Sequence, residues 1–158
     1  MFEADFQKSV PDNILVEREK DSASFQMTSK NPYDYRLYLK PNIFFMELKS
    51  TGAASISLQE NVVRPHQIEQ LQQRKSYDGA YAGFLFEFRE RNLKTKTREH
   101  MVYYLDIDKF SKRDKNIKSL TPEYVEKLGG IKVEATKKIT RYTFNVEKLI
   151  QDIKRDVA

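Results

Sequence analysis

Asp34-Tyr35-Arg36-Leu37-Tyr38-Leu39-Lys40-Pro41-Asn42-Ile43-Phe44-Phe45-Met46-Glu47-Leu48-Lys49 is the stretch that decides the fold. Two runs of aromatic and branched residues flank the pair Pro41-Asn42, which reads as a turn, so the segment predicts a β-hairpin. The second run is apolar enough to be a central strand. Upstream, Phe2 and Phe6 share one helical face, and Pro11 ends that short helix. Residues 13–19 read as a short strand and 20–31 as polar loop. Downstream, Ile56 and Leu58 alternate with serines as a further short edge strand or loop. A helix follows over 64–78, with Pro65 in its first turn and Gly79 as its stop. Strands are predicted at 81–88 and 101–107, the second leading through Asp106 into a helical turn. Thr121-Pro122-Glu123 starts another helix, closed by Gly129-Gly130. A short strand at 131–134 and an amphipathic helix from about Asn145, with Leu149, Ile150 and Ile153 inward, complete the order. The expectation is an α/β sandwich, a central mixed sheet flanked by helices.

Composition narrows the chemistry. A chain of 158 residues suits a single domain, 1–158, with one core. With no cysteine, a disulfide framework, cysteine-ligated zinc, iron–sulfur clusters and thiol catalysis are all excluded. The two histidines, His66 and His100, stand far apart in sequence, which leaves carboxylates as the leading candidates. No stretch approaches the roughly 20 apolar residues of a membrane span, so a soluble, cytoplasmic protein with no membrane partner is expected. The 28 Lys and Arg against 23 Asp and Glu give a formal charge of +5, which favours an anionic partner.

Strand periodicity carries the site. Glu47 and Lys49 are two apart and share one face of the strand, while Met46 and Leu48 take the other. An acid and a base on an otherwise apolar strand cost desolvation energy and need partners. Asp34, at the start of the preceding strand, can lie across from Glu47 and complete a two-carboxylate site. Such a pair repels itself, and a divalent cation preferring oxygen ligands, Mg²⁺, relieves the repulsion. Acid-x-base triplets also arise by chance about four times in a chain of this composition, so the spacing equally fits an exposed strand end with a Glu–Lys pair.

Further residues carry a resemblance. Pro32-Tyr33-Asp34, the step to Glu47-Leu48-Lys49, and Glu3 in the first helix resemble the PD-(D/E)XK nuclease pattern. The Glu47-Leu48-Lys49-Ser50-Thr51 strand exit, the Ser57-Leu58 pair and Pro65-His66-Gln67-Ile68-Glu69 are similar to RecU-type Holliday-junction resolvases. The resemblance covers about residues 2–150. It implies a restriction-endonuclease-like core and a Mg²⁺-dependent endonuclease, with Mn²⁺ as a substitute, that cleaves branched DNA by attack of metal-activated water. Asp34 and Glu47 would bind the metal, Gln67 would add an oxygen ligand or order water, Lys49 would stabilise the attacked phosphate, and Glu3 would assist. At the position of a family threonine ligand stands Pro32, of which only the carbonyl can serve. The family's projecting stalk would be shortened or absent, within about 12–31. Paired symmetric cuts imply a homodimer. A nuclease of the same fold acting on duplex, flap or single-stranded DNA, and a non-catalytic DNA-binding protein that keeps the fold, are the alternatives.

The candidate DNA contacts are cationic. Arg64, His66, Arg74 and Lys75 lie along the helix that bears Gln67, and Arg89, Arg91, Lys94, Lys96 and Arg98 lie in the turn before the 101–107 strand. Neutralising phosphates in this way gives affinity with little sequence information. The plainer reading of each cluster is a solvated charged face. For Glu3 it is a favourable charge at a helix N-terminus.

Overall fold

The computed structural model of the protein describes residues 1–19 and 34–156. Its elements are α1 (Phe2–Ser9), β1 (Leu15–Arg18), β2 (Tyr35–Leu39), β3 (Asn42–Thr51), β4 (Ile56–Ser57), α2 (Pro65–Lys75), β5 (Ala80–Phe88), β6 (Arg91–Asn92), β7 (Thr97–Arg98), β8 (Met101–Asp106), α3 (Ile107–Ser111), β9 (Ser119–Leu120), α4 (Pro122–Lys127), β10 (Ile131–Lys132), β11 (Ala135–Lys138), β12 (Arg141–Phe144) and α5 (Val146–Asp156). Six strands form one mixed sheet in the order β1-β2-β3-β5-β8-β10. β3 and β5 are its parallel pair, joined through α2, and every other neighbour is antiparallel. This is the predicted mixed sheet flanked by helices.

The two faces of the sheet pack differently, and the period of two along β3 assigns them. Phe44, Met46 and Leu48 join Phe2 and Phe6 of α1, Phe144 of β12, and Leu149, Ile150 and Ile153 of α5. Phe45 faces the other way, with Phe84, Phe86 and Phe88 of β5, Leu71 of α2, Phe110 of α3 and Val125 of α4. Both faces are covered, which is why β3 and β5 read as nearly continuous apolar runs. Each of these fully buried large side chains contributes about 1.5–3 kcal/mol relative to exposure. Gly83 on β5 allows the closest approach: a Cβ there would lie 2.8 Å from the Tyr104 ring and run into the Leu105 carbonyl.

Helix ends follow local chemistry. Asp106 caps α3 by accepting from Asp108 N at 2.9 Å, and Thr121 caps α4 by accepting from Tyr124 N at 3.1 Å. Gly79, at φ 76°, takes the chain from α2 into β5. Two features depart from the sequence reading. Ile56–Ser57 pairs with β9 in a separate two-stranded ladder and adds nothing to the main sheet. Residues 135–144 form a hairpin whose turn carries none of the usual glycine or asparagine signals. Pro32, and the part beyond residue 19 of the 12–31 stretch in which the stalk is expected to be shortened or absent, lie outside the described residues. No helix among the described residues is long and apolar enough to cross a membrane.

Candidate active site

The β2–β3 register brings the two central carboxylates together. Asp34 precedes β2, and its backbone N–H donates to the Met46 carbonyl at 3.0 Å, which continues the ladder by one residue. Its carboxylate accepts from the Leu48 N–H at 2.7 Å, so the side chain lies along the edge of β3 beside Glu47. Glu47 is buried, and its Oε1 receives two donors: Lys49 Nζ at 2.9 Å and Gln67 Nε2 at 2.5 Å. The predicted common face of Glu47 and Lys49 is thus realised as a direct ion pair.

Electrostatics at this centre are strained. Burial, and next the Asp34 charge, push the Glu47 carboxyl up to about 7, against the opposing pull of Lys49. Burial also raises Asp34 above the ordinary carboxylate range, the Leu48 N–H works against it, and the charge on Glu3 adds to it. Glu3 therefore acts on both carboxylates through its field. Its own carboxylate is paired with Arg18 at 2.7 Å and is partly exposed.

Gln67 joins two elements at this centre. Its Oε1 accepts the Arg64 backbone N–H at 3.1 Å, the N3-to-N-cap half of a capping box. Because that partner is a donor, the amide orientation is settled: the oxygen faces Arg64 and the nitrogen faces Glu47. Gln67 turns a hydrogen-bond donor to Glu47, while its oxygen is engaged by the Arg64 N–H. It is a positioning residue that couples the start of α2 to Glu47.

A divalent cation fits what remains. The carboxylates supply hard oxygen donors, and the burial that raises both, together with the Asp34 charge that raises Glu47, is what such an ion offsets. Among the described residues no group of three or more histidine, aspartate or glutamate side chains could hold a metal. The set therefore suits an ion that keeps most of its waters and binds one or two carboxylates together with substrate phosphate, as Mg²⁺ does.

The cationic candidates divide by environment. Arg64, Arg89, Lys94 and Lys96 are exposed, and Arg91 and His66 are half-buried. Arg74 lies over the Phe45 ring at 5.8 Å, between α2 and β3. Lys75 and Arg98 are engaged by protein groups. Lys75 Nζ sits 2.6 Å from both Asp106 and Asp108, which fastens the end of α2 to α3. Burial works against its charge, but these two carboxylates hold its pKa above the ordinary value. The Arg98 guanidinium donates to the carbonyls of Arg89, at 2.6 and 3.1 Å, and Ala53, at 2.8 Å, closing the base of the β6–β7 turn.

One polar cluster escaped the sequence reading. Glu87 on β5 is buried, accepts from Ser50 Oγ at 2.5 Å and lies 2.8 Å from His100 Nε2. The His100 ring stacks on Tyr142 at 3.6 Å. A single acid inside the apolar run Phe84-Leu85-Phe86-Glu87-Phe88 was the available signal. These residues, with Glu3, Leu48 and Tyr142, border an open cleft of about 840 Å³.

The chain is 34% identical over 173 aligned residues to the SPbeta prophage-derived uncharacterized protein YotM of Bacillus subtilis (strain 168), a match that covers 97% of this chain and 85% of that protein. The chain belongs to the YotM family. No family model matches it. Among solved structures it is similar to Hjc, a Holliday junction resolvase from the archaeal hyperthermophile Archaeoglobus fulgidus, with 13% identity, coverage of 76% of this chain and 83% of that one, and a TM-score of 0.47.

Proposed function

We propose that the protein is a Mg²⁺-dependent DNA endonuclease that cleaves branched DNA of the Holliday-junction type as a homodimer. The observation that carries this reading is the convergence of Asp34, Glu47 and Lys49 at one strand, with the Glu47 carboxyl pushed up to about 7 by burial and by Asp34. A buried glutamate beside a half-buried aspartate, with a lysine on the glutamate, is costly for folding and suits phosphodiester hydrolysis. Asp34 and Glu47 would hold the ion, which when bound would offset their charge and polarise the scissile phosphate. Lys49 places a cation beside the carboxylates, where negative charge develops on the phosphate. Gln67 keeps the Glu47 carboxylate aimed, and Glu3 adds negative field from α1. Arg64, Arg89, Lys94 and Lys96 supply exposed charge for the DNA backbone.

The test is cleavage of four-way junction, flap and linear duplex in Mg²⁺ by the wild type and by Asp34→Asn and Glu47→Gln. Junction cleavage that both substitutions abolish is the expected result. No cleavage of any substrate by the wild type refutes the enzyme and leaves DNA binding without chemistry. Linear duplex cut as fast as junction removes the branched substrate. Full activity in both variants means that the ion binds elsewhere. Light scattering tests the dimer, which two symmetric cuts require.

A further inference from the structure

The tip of the β11–β12 hairpin combines two features that folding does not explain. Ile139 is 94% exposed and has φ of 56°. The register Lys138↔Arg141 leaves Ile139 and Thr140 as a two-residue connection with positive φ at its first position. Glycine ordinarily takes that place, because a branched Cβ crowds the neighbouring backbone. An isoleucine there strains the chain and gains nothing from burial. Outliers of this kind, held by their surroundings, point to use.

The surroundings do hold it. Arg141 Nε lies 2.5 Å from Asp5 Oδ1, the Tyr142 N–H donates to Asp5 Oδ2 at 3.2 Å, and the Phe144 N–H donates to Ser9 Oγ at 2.9 Å. Lys137 is tied to Glu90 at 2.8 Å. Lys138 is exposed, and among the described residues it has no carboxylate partner. A rigid stem thus carries an apolar tip with cations on both sides. Lys137, Thr140 and Tyr142 line the cleft that Glu3 and Leu48 also line, so the hairpin and α1 border one open face, while the Asp34, Glu47 and Lys49 side chains do not line that cleft.

We infer that this hairpin is a DNA wedge: Ile139 enters between bases at a branch point while Lys138 contacts a flanking phosphate. An apolar side chain that parts two bases must unstack them, and the cost is least where stacking is already broken. A lone isoleucine offers too little apolar area for a protein interface, and Lys138 beside it, the tip cation that no described carboxylate engages, complements a polyanion. The inference rests on the nuclease reading and deepens it, since it names the element that would choose branched over continuous duplex.

The experiment uses the full chain with 2-aminopurine placed at the centre of a four-way junction, or at the matching position of a linear duplex, in EDTA. The wild type is expected to raise the fluorescence of the junction and leave the duplex unchanged. Ile139→Gly should abolish the rise and lower the preference for junction over duplex by about tenfold, and Ile139→Leu should restore both. The Ile139→Gly protein should melt no lower than the wild type and cut linear duplex in Mg²⁺ at the same rate. An Ile139→Gly protein with undiminished signal and preference overturns the wedge, as does a wild type without signal. A wild type that gives the Ile139-dependent signal but cuts no DNA supports the wedge and refutes the nuclease.

Discussion

Replacing Glu47 by glutamine should stabilise the metal-free protein at pH 8. The carboxyl titrates near 4.5 when unperturbed and at about 7 in the fold, raised by burial and by Asp34. A folded-state pKa above the unfolded value means that the folded protein binds the proton more tightly. Its contribution to stability is therefore fully present below about pH 4.5 and is lost as the pH rises through about 7. At about 1.4 kcal/mol per unit the gap amounts to roughly 3 kcal/mol. Glutamine keeps an oxygen for the Gln67 amide to donate to and carries no charge. It also removes the partner of Lys49, whose side chain is only 16% exposed, so a net gain of about 1–3 kcal/mol at pH 8 is expected. The assay is urea denaturation of both proteins in EDTA from pH 5 to 8, with equal slopes required before the midpoints are compared. The advantage of the variant should grow with pH and level off above about 7. If Asp34 and Glu47 hold the proposed ion, excess Mg²⁺ should stabilise the wild type at pH 8 and leave Glu47→Gln unmoved. A variant less stable than the wild type at pH 8, or a difference that does not change with pH, refutes the strained-carboxylate account.

The remaining outcomes separate structural cations from DNA-facing ones and test the sheet. Lys75→Met leaves Asp106, 4% exposed at its side chain, without its cation, and should cost about 3 kcal/mol in urea denaturation. Gly83→Ala forces a Cβ against the Tyr104 ring and the Leu105 carbonyl; calorimetry should show a loss of about 1–3 kcal/mol or more. Lys94→Ala with Lys96→Ala should leave the melting temperature unchanged and reduce the salt slope of DNA binding by up to about 2. Arg98→Ala should do the reverse, lowering the melting temperature with little change in that slope.

The main sheet and the core of the site were legible along the chain because they obey short-range rules. Alternation over Ile43–Lys49 assigns Glu47 and Lys49 to one face whatever lies around them, and the hairpin turn brings Asp34 opposite. Caps at Asp106 and Thr121, and the stop at Gly79, likewise depend on a few neighbouring residues. The 135–144 hairpin was not legible, because Lys137-Lys138-Ile139-Thr140-Arg141 has no local turn signal. Its geometry is imposed from α1 through Asp5 and Ser9, more than 130 positions away.

The same distinction governs function. Residue types alone made carboxylates the leading candidates, since cysteine is absent and histidine is scarce. Which way the Gln67 amide points depends on Arg64 and Glu47 meeting it from two elements, and whether Lys75 faces DNA or protein depends on where α3 begins. The pKa of Glu47 depends on depth of burial and on a second charge. Those are distances through space between segments remote in the chain, so no local pattern encodes them, and packing alone makes a common acid-x-base triplet into a strained, charged centre.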